Sequence, residues 1–257
     1  MATIRAFGLT DPGLARPHNE DSFFVDASSS VYVVADGMGG HSHGEVASKI
    51  AVDTISDLLG GPNPVLGDVA SSDGSALLPH SLRLKEAIER AHDAMIDAIR
   101  GNLSLQGMGT TVAGFMVEGD VASVAHVGDS RVYRRREGVF ELLTTDHTWV
   151  NEQVMAGHLS EDQARTHPLR NVVTRALGGE TEVLVDVREL EILAGDVFVV
   201  CSDGLTAMLE DEDIERRLQS EDSLEQICQQ LVDDANARGG VDNITVIVVS
   251  MGPDEAA

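Results

Sequence analysis

The 257-residue chain is poor in aromatics (4%), poor in cysteine and very poor in basic charge. Two cysteines build no disulfide framework. Cys201 lies in an apolar run and Cys228 on the helical face Leu224, Ile227, Cys228, Leu231, Val232, Ala235, so both read as small buried hydrophobes. No apolar stretch approaches the ~18–20 residues of a membrane span. The opening MATIRAFGLTD lacks the basic region and long apolar core of a secretory signal, so the expected location is cytoplasmic. Against 18 Lys and Arg stand 43 Asp and Glu, a formal charge of −25. Such a field repels nucleic acid and anionic membranes, and both are excluded as partners. It accepts an anionic small substrate only where bound cations reverse the local sign. Arg131 and Arg134–Arg136 form the one basic concentration, and in a strand they would alternate between faces.

What the chain does have is a repeated design. Val31–Gly37 (VYVVADG) and Val197–Gly204 (VFVVCSDG) are β-branched, apolar runs of the kind buried on both faces, each stopped by Asp-Gly. The glycine permits a turn or a close backbone approach straight afterwards. Val121–Arg131 ends likewise, with Asp129 at its tip, while Asp242 stands just before the run Ile244–Ser250 and RPHNED (Arg16–Asp21) just before Phe23–Val25. Carboxylates therefore flank at least five expected strands and seldom sit within them. If those ends converge they make an oxygen cluster without thiolates.

Strand-like runs cover Ile4–Leu9, Ser22–Val25, Val31–Ala35, Thr110–Val117, Val121–Val127, Arg131–Arg135, Glu182–Leu190, Val197–Cys201 and Ile244–Ser250. Helical periodicity is clear in Glu45–Leu59, with Val46, Ile50, Ile55 and Leu58 on one face, in Ser81–Arg100 and in Ser223–Arg238. Weaker helical patterns occupy Thr148–Ala156, Ser160–Arg165 and Asp211–Leu218. Runs of consecutive strands favour antiparallel sheets with helices outside them, an α+β protein. Gly60–His80 reads as a surface loop and His147–Gly179 as a second irregular stretch. One catalytic domain over 1–252 with a short tail, 253–257, is expected.

Three chemistries compete. Asp36, Asp129, Asp203 and Asp242, with Glu20 and Asp21 nearby, form an all-oxygen set suited to Mg²⁺ or Mn²⁺ and unsuited to zinc. Crowded carboxylates need such cations, since repulsion would otherwise force some to protonate. Two ions about 3.5–4 Å apart can share a water and clamp a displacement at phosphorus. Arg16, four residues before Glu20, supplies paired donors for phosphate oxygens. GHSHG (Gly40–Gly44) is a literal G-x-S-x-G, with Ser42 as nucleophile and His147 or His167 as base. It fits poorly, because Gly37–His41 separates strand from serine and βα alternation is missing. A cysteine phosphatase needs an arginine six residues after its cysteine, where Ala207 stands after Cys201, and no phosphate-cradling G-x-x-x-x-G-K-[ST] occurs.

RPHNED, VVADGMGGH, GMGTTVAGF, AHVGDSRVYRRREG, LTTDHTWV, HPLRNVVTRALGG, CSDGLTAML and GGVDNITVIVV, taken in order, resemble the motifs of the metal-dependent serine/threonine protein phosphatases of the 2C type, in their compact bacterial branch. The resemblance runs from Arg5 to about Ser250. It implies a four-layer α/β/β/α sandwich of two antiparallel sheets, with a binuclear Mg²⁺/Mn²⁺ site at one edge. In that frame Asp36 bridges both metals, the Gly37 carbonyl binds one, and Asp203 and Asp242 hold the other. Glu20 acts through water, Arg16 grips the substrate phosphate, and Asp129 with Asp203 matches a third-metal position, with Asn171 a further candidate through water. A bridging hydroxide would hydrolyse phosphoserine or phosphothreonine directly, without a phosphoenzyme. His147–Gly179 corresponds to a flap beside the site. The implied partners are phosphorylated proteins, a bacterial serine/threonine kinase and its substrates, and the implied state is monomeric; a catalytically silent scaffold of the same fold is the rival. Eukaryotic relatives place a histidine directly after the Asp-Gly, as proposed proton donor. Met38 stands here, so His41, His43 or a metal-bound water must serve.

Overall fold

In the computed structural model of the chain, residues 3–39, 43–62, 64–66, 77–179 and 182–253 are described. Eleven strands and seven helices follow in order among them. They are β1 (Ile4–Asp11), β2 (Asp21–Asp26), β3 (Val31–Met38), α1 (His43–Leu59), α2 (Pro79–Gly101), β4 (Gly109–Thr110), β5 (Val112–Glu118), β6 (Val121–Val127), β7 (Arg131–Arg136) and β8 (Val139–Leu142). After these come α3 (Trp149–Met155), α4 (Glu161–Arg165), β9 (Asp186–Glu191), β10 (Val197–Cys201), α5 (Asp203–Thr206), α6 (Asp211–Leu218), α7 (Leu224–Ala237) and β11 (Ile244–Met251).

One sheet runs β1-β11-β10-β7-β8 and the other β2-β3-β5-β6-β9, with β4 added to β3, and every pairing is antiparallel. Alternation along the central strands explains how they stack. Val31, Val33 and Ala35 of β3 face a core closed by α1 and α2, while Tyr32 and Val34 face the other sheet. Phe198 and Val200 of β10 join that inter-sheet core, whereas Val199 and Cys201 point to a third one under α5, α6 and α7. Three apolar layers thus separate helices, sheet, sheet and helices. That is the expected four-layer α+β sandwich, and it explains why these strands are apolar on both faces. Phe115 of β5 ties the middle layer together, its ring 6.0 Å from Tyr32 and 4.5 Å from Phe198.

Several local expectations change. The α1 face matches the large-residue stripe Val46, Ile50, Ile55, Leu58 only in part. Ala47, Ala51, Val52, Ile55 and Leu59 are buried, Val46 is exposed, and Ile50 and Leu58 are only partly covered. Small side chains at 47 and 51 let the helix sit close on its neighbours. The run Thr110–Val117 breaks at Thr111, whose N–H bonds Asp36 O at 2.9 Å instead of a ladder partner. The stretch 182–185 lies outside β9, because Val183 and Val185 pack against the helix-side core. β8 was not expected. It pairs with β7 across Glu137 and Gly138, both with positive φ, a two-residue turn whose twist suits a hairpin. Cys201 and Cys228 are free and buried, as expected.

Candidate active site

The ends of the two sheets meet around a cavity of about 210 Å³. Arg16 and Glu20 reach it from the loop before β2, Asp36, Gly37, Met38 and Gly39 from β3, Thr111 from between β4 and β5, and Asp129 from the β6–β7 turn. Asp203 arrives at the start of α5, Asp242 just before β11, and Asn171 and Val173 from the stretch after α4. The lining gathers Arg16, Glu20, Asp36, Gly37, Asp129, Asn171, Asp203 and Asp242, while His41 lies outside the described residues with Ser42. His43 opens α1 and is not part of the lining.

Asp36 does not end its strand as expected. β3 continues through Met38, and Asp36 pairs with Asp21, the first residue of β2. The continuation holds the carboxylate rigidly. Thr110 Oγ1 donates to Asp36 O at 2.8 Å, and Thr111 Oγ1 accepts from Asp36 N at 3.3 Å while sharing a bond with Ser130 Oγ at 2.7 Å. The glycines after Asp36 and Asp203 serve close approach and not a left-handed turn. A Cβ at Gly37 would lie 2.1 Å from Gly44 O, and one at Gly204 would lie 2.0 Å from Asn243 O.

Burial holds the Asp36 carboxyl well above the usual carboxylate range, and the neighbouring Asp21, Asp203 and Asp129 push it further. Burial likewise raises Asp203 and pushes Asp129 up to about 8, with Asp203 the next cause for Asp129. Asp21, behind the lining, is pushed up to about 7 by burial even though Ser202 Oγ and Thr245 Oγ1 both donate to its Oδ2, at 2.8 and 2.6 Å. Its Oδ1 has no hydrogen-bond partner among the described residues. Among the described residues one cation touches the cluster directly: Arg16 donates to Asp242 Oδ2 at 2.7 Å. The donor set is all oxygen and starved of positive charge, which is what hard divalent cations relieve. Thr110, Thr111, Ser202 and Thr245 escaped the sequence reading as supports. Single hydroxyls carry no spacing signal, and only their nearness to Asp-Gly ends or strand starts could have marked them.

A second cluster, His126, His147 and Asp186, has metal-like spacing. Its protons argue otherwise. Gly128 N–H donates to His147 Nδ1 at 3.1 Å, so the neutral ring carries its proton on Nε2, toward Asp186 Oδ2 at 3.2 Å. The Arg175 guanidinium stands 3.3 Å from Asp186 Oδ1 and fills the cation's place. His147 instead fastens the turn beside Asp129 to the 147–179 stretch, since its N–H also bonds Gly128 O and its C=O accepts from Thr174 N. His167 packs tilted against the Trp149 ring at 5.0 Å, and Trp149 N donates to Val172 O at 2.8 Å. Both histidines named for a serine hydrolase therefore have other attachments.

The whole constellation has counterparts among known proteins. The profile of the protein phosphatase 2C family matches residues 16–243, from Arg16 to Asn243. The chain is 37% identical over 247 residues to the serine/threonine phosphatase stp of Listeria monocytogenes, covering 93% of both. It superposes on the crystal structure of the Mycobacterium tuberculosis serine/threonine phosphatase PstP/Ppp with a TM-score of 0.86 at 33% identity, covering 97% of this chain and 99% of that one. The catalytic domain of PstP in complex with two manganese ions matches with a TM-score of 0.82 at 31% identity, covering 98% and 100%. With the fold, the motif order and the gathered carboxylates all agreeing, the chain belongs to the protein phosphatase 2C family.

Proposed function

We propose that this chain is a protein serine/threonine phosphatase that works with divalent cations and hydrolyses phosphoserine and phosphothreonine monoesters directly. One observation carries the reading: Asp36, Asp129, Asp203 and Asp242, from four separate segments, line one cavity together with Arg16. Asp36 and the Gly37 carbonyl would hold one ion, and Asp36, Asp203 and Asp242 a second, with Glu20 acting through water. Asp129 and Asp203 would hold a third, with Asn171 assisting through water. Mg²⁺ and Mn²⁺ both suit these oxygens. When bound, such ions acidify a water for attack and neutralise the phosphoryl oxygens.

The side chains do the rest. Arg16 keeps one amino group on Asp242 and has further N–H donors for phosphate oxygens, in a planar fork that stays charged at any working pH. Thr110 and Thr111 fix Asp36 so that the cluster does not rearrange as charge develops. The departing serine oxygen needs a proton, Met38 has none to give, and we assign that role to His41. Asn171 and Val173 set the 147–179 stretch at the mouth of the cavity, where it would serve as a flap choosing among phosphorylated proteins. A single domain over 1–252, acting as a monomer in the cytoplasm on the substrates of a bacterial serine/threonine kinase, completes the proposal.

The test is turnover of a phosphoserine peptide with Mn²⁺. A chelator should abolish it, and Asp36→Asn should lower kcat/KM by about 10³-fold, the loss of several kcal/mol of charge stabilisation. Turnover indifferent to both would overturn the reading. Chelator-resistant activity with fluorophosphonate labelling at Ser42 would install the serine hydrolase in its place, and no turnover at all the silent scaffold.

A further inference from the structure

Asn243, next to Asp242, is only 4% exposed. Its side-chain amide is committed wholly to the backbone of another segment. Nδ2 donates to Pro12 O at 3.0 Å and to His18 O at 2.9 Å, and Oδ1 accepts from Glu20 N at 2.7 Å. The loop between β1 and β2 is thus closed at both ends on one amide, with Arg16 midway along it and Glu20 at its end. Pro12 and Pro17 supply no N–H with which the loop could fasten itself. Other ties are spread along it: Gly13 N donates to Asp11 Oδ1, Leu14 N and Ala15 N to Gly240 O, Asn19 Nδ2 to Thr10 Oγ1, and Gly37 N to Glu20 O. Among the described residues, only the Asn243 amide bonds both ends of the loop at once. Meanwhile Asn243 N donates to Asp242 Oδ1 at 2.9 Å, which turns Oδ2 of that carboxylate toward Arg16. Asparagine alone offers two donors and an acceptor on so short a planar group; aspartate would set a negative oxygen against two carbonyls.

We propose that Asn243 is a positioning residue for catalysis, whose amide holds Arg16 and Glu20 in register with Asp242. This rests on the phosphatase reading of the cavity. Its signature is coupling to Arg16, which a purely structural residue would lack.

The experiment is a double-mutant cycle on Mn²⁺-supported hydrolysis of a phosphoserine peptide, using wild type, Arg16→Ala, Asn243→Asp and the double variant, with melting temperatures for all four. Misplacing a binding group by about 1 Å costs on the order of 10²-fold. Asn243→Asp is accordingly expected to lower kcat/KM by about that factor, with a raised KM as for Arg16→Ala. In the Arg16→Ala background the same change should cost far less, so the losses do not multiply. Asn243→Ser, which keeps one donor and one acceptor, should recover part of the loss if the isosteric acid fails to fold. Fully multiplicative losses, or losses that simply track melting temperature, overturn the proposal while leaving the phosphatase reading intact. An inactive wild type overturns both.

Discussion

A methyl group added at Gly204 would meet Asn243 O at 2.0 Å, so Asp203 sits where it does only because its neighbour has no side chain. Gly204→Ala is expected to push the start of α5 away from Asp242, lowering kcat/KM by about 10²-fold and costing about 1–3 kcal/mol in urea unfolding. The proton donor has its own test. If His41 protonates the leaving oxygen, His41→Ala should slow a phosphoserine peptide by about 10²-fold and p-nitrophenyl phosphate much less, since nitrophenolate leaves unaided. Equal losses on both substrates would remove His41 from that role. At this scale the aspartates and Arg16 were legible because a carboxylate closing an apolar run is conspicuous. Asn243 was not, since asparagine after aspartate before a strand reads as ordinary turn chemistry. Asp21 was seen only as a neighbour of Glu20, although its buried carboxyl underlies the whole cluster.

Helix α1 shows how an element can be found correctly and its face read only in part. Its span was plain from the sequence, and Ile50, Ile55 and Leu58 face the core as expected, but the burial of Ala47 and Ala51 and the exposure of Val46 rotate the stripe toward small residues. Periodicity weighs large apolar residues, whereas close packing of a helix on a sheet selects small ones. Ala51→Leu is therefore expected to cost about 1–3 kcal/mol by overpacking, and Val46→Ala to stay within about 0.5 kcal/mol of wild type, both read by chemical denaturation. Equal costs would restore the original face. Strands β3, β10 and β11 were the most legible elements because both faces are buried and long apolar runs fill most of each. β8 was least so, being four residues long and separated from β7 only by Glu137 and Gly138. Phe115, its ring tilted against both Tyr32 and Phe198, is the element-level keystone of the inter-sheet layer, and Phe115→Ala should cost about 3–5 kcal/mol.

For the whole molecule, function and stability oppose each other at one place. Asp21 and Asp129 have folded pKa values of about 7 and 8, above the ~3.9 of an unfolded aspartate. The folded state therefore holds their protons more tightly, and this contribution is fully present below about pH 4 and is lost as pH rises through about 7 to 8. In chelator the melting temperature should fall between pH 5 and pH 8, and Mn²⁺ should remove most of that fall by taking the protons' place. A flat profile in chelator would contradict it. The overall charge of −25 acts in the same direction, so added salt should also help at high pH. The order of layers was legible from the apolar runs, but how the sheets' ends converge was not, since convergence depends on β11 pairing with β1 across the full length of the chain. One further consequence is optical. The only tryptophan, Trp149, lies against the His167 ring and is tied through its backbone to Val172, beside the cavity wall. The protein thus contains one native fluorophore bonded to the residue beside Val173 of the cavity lining, and its emission is expected to change as a phosphopeptide arrives, a change stopped-flow fluorescence would time without any label.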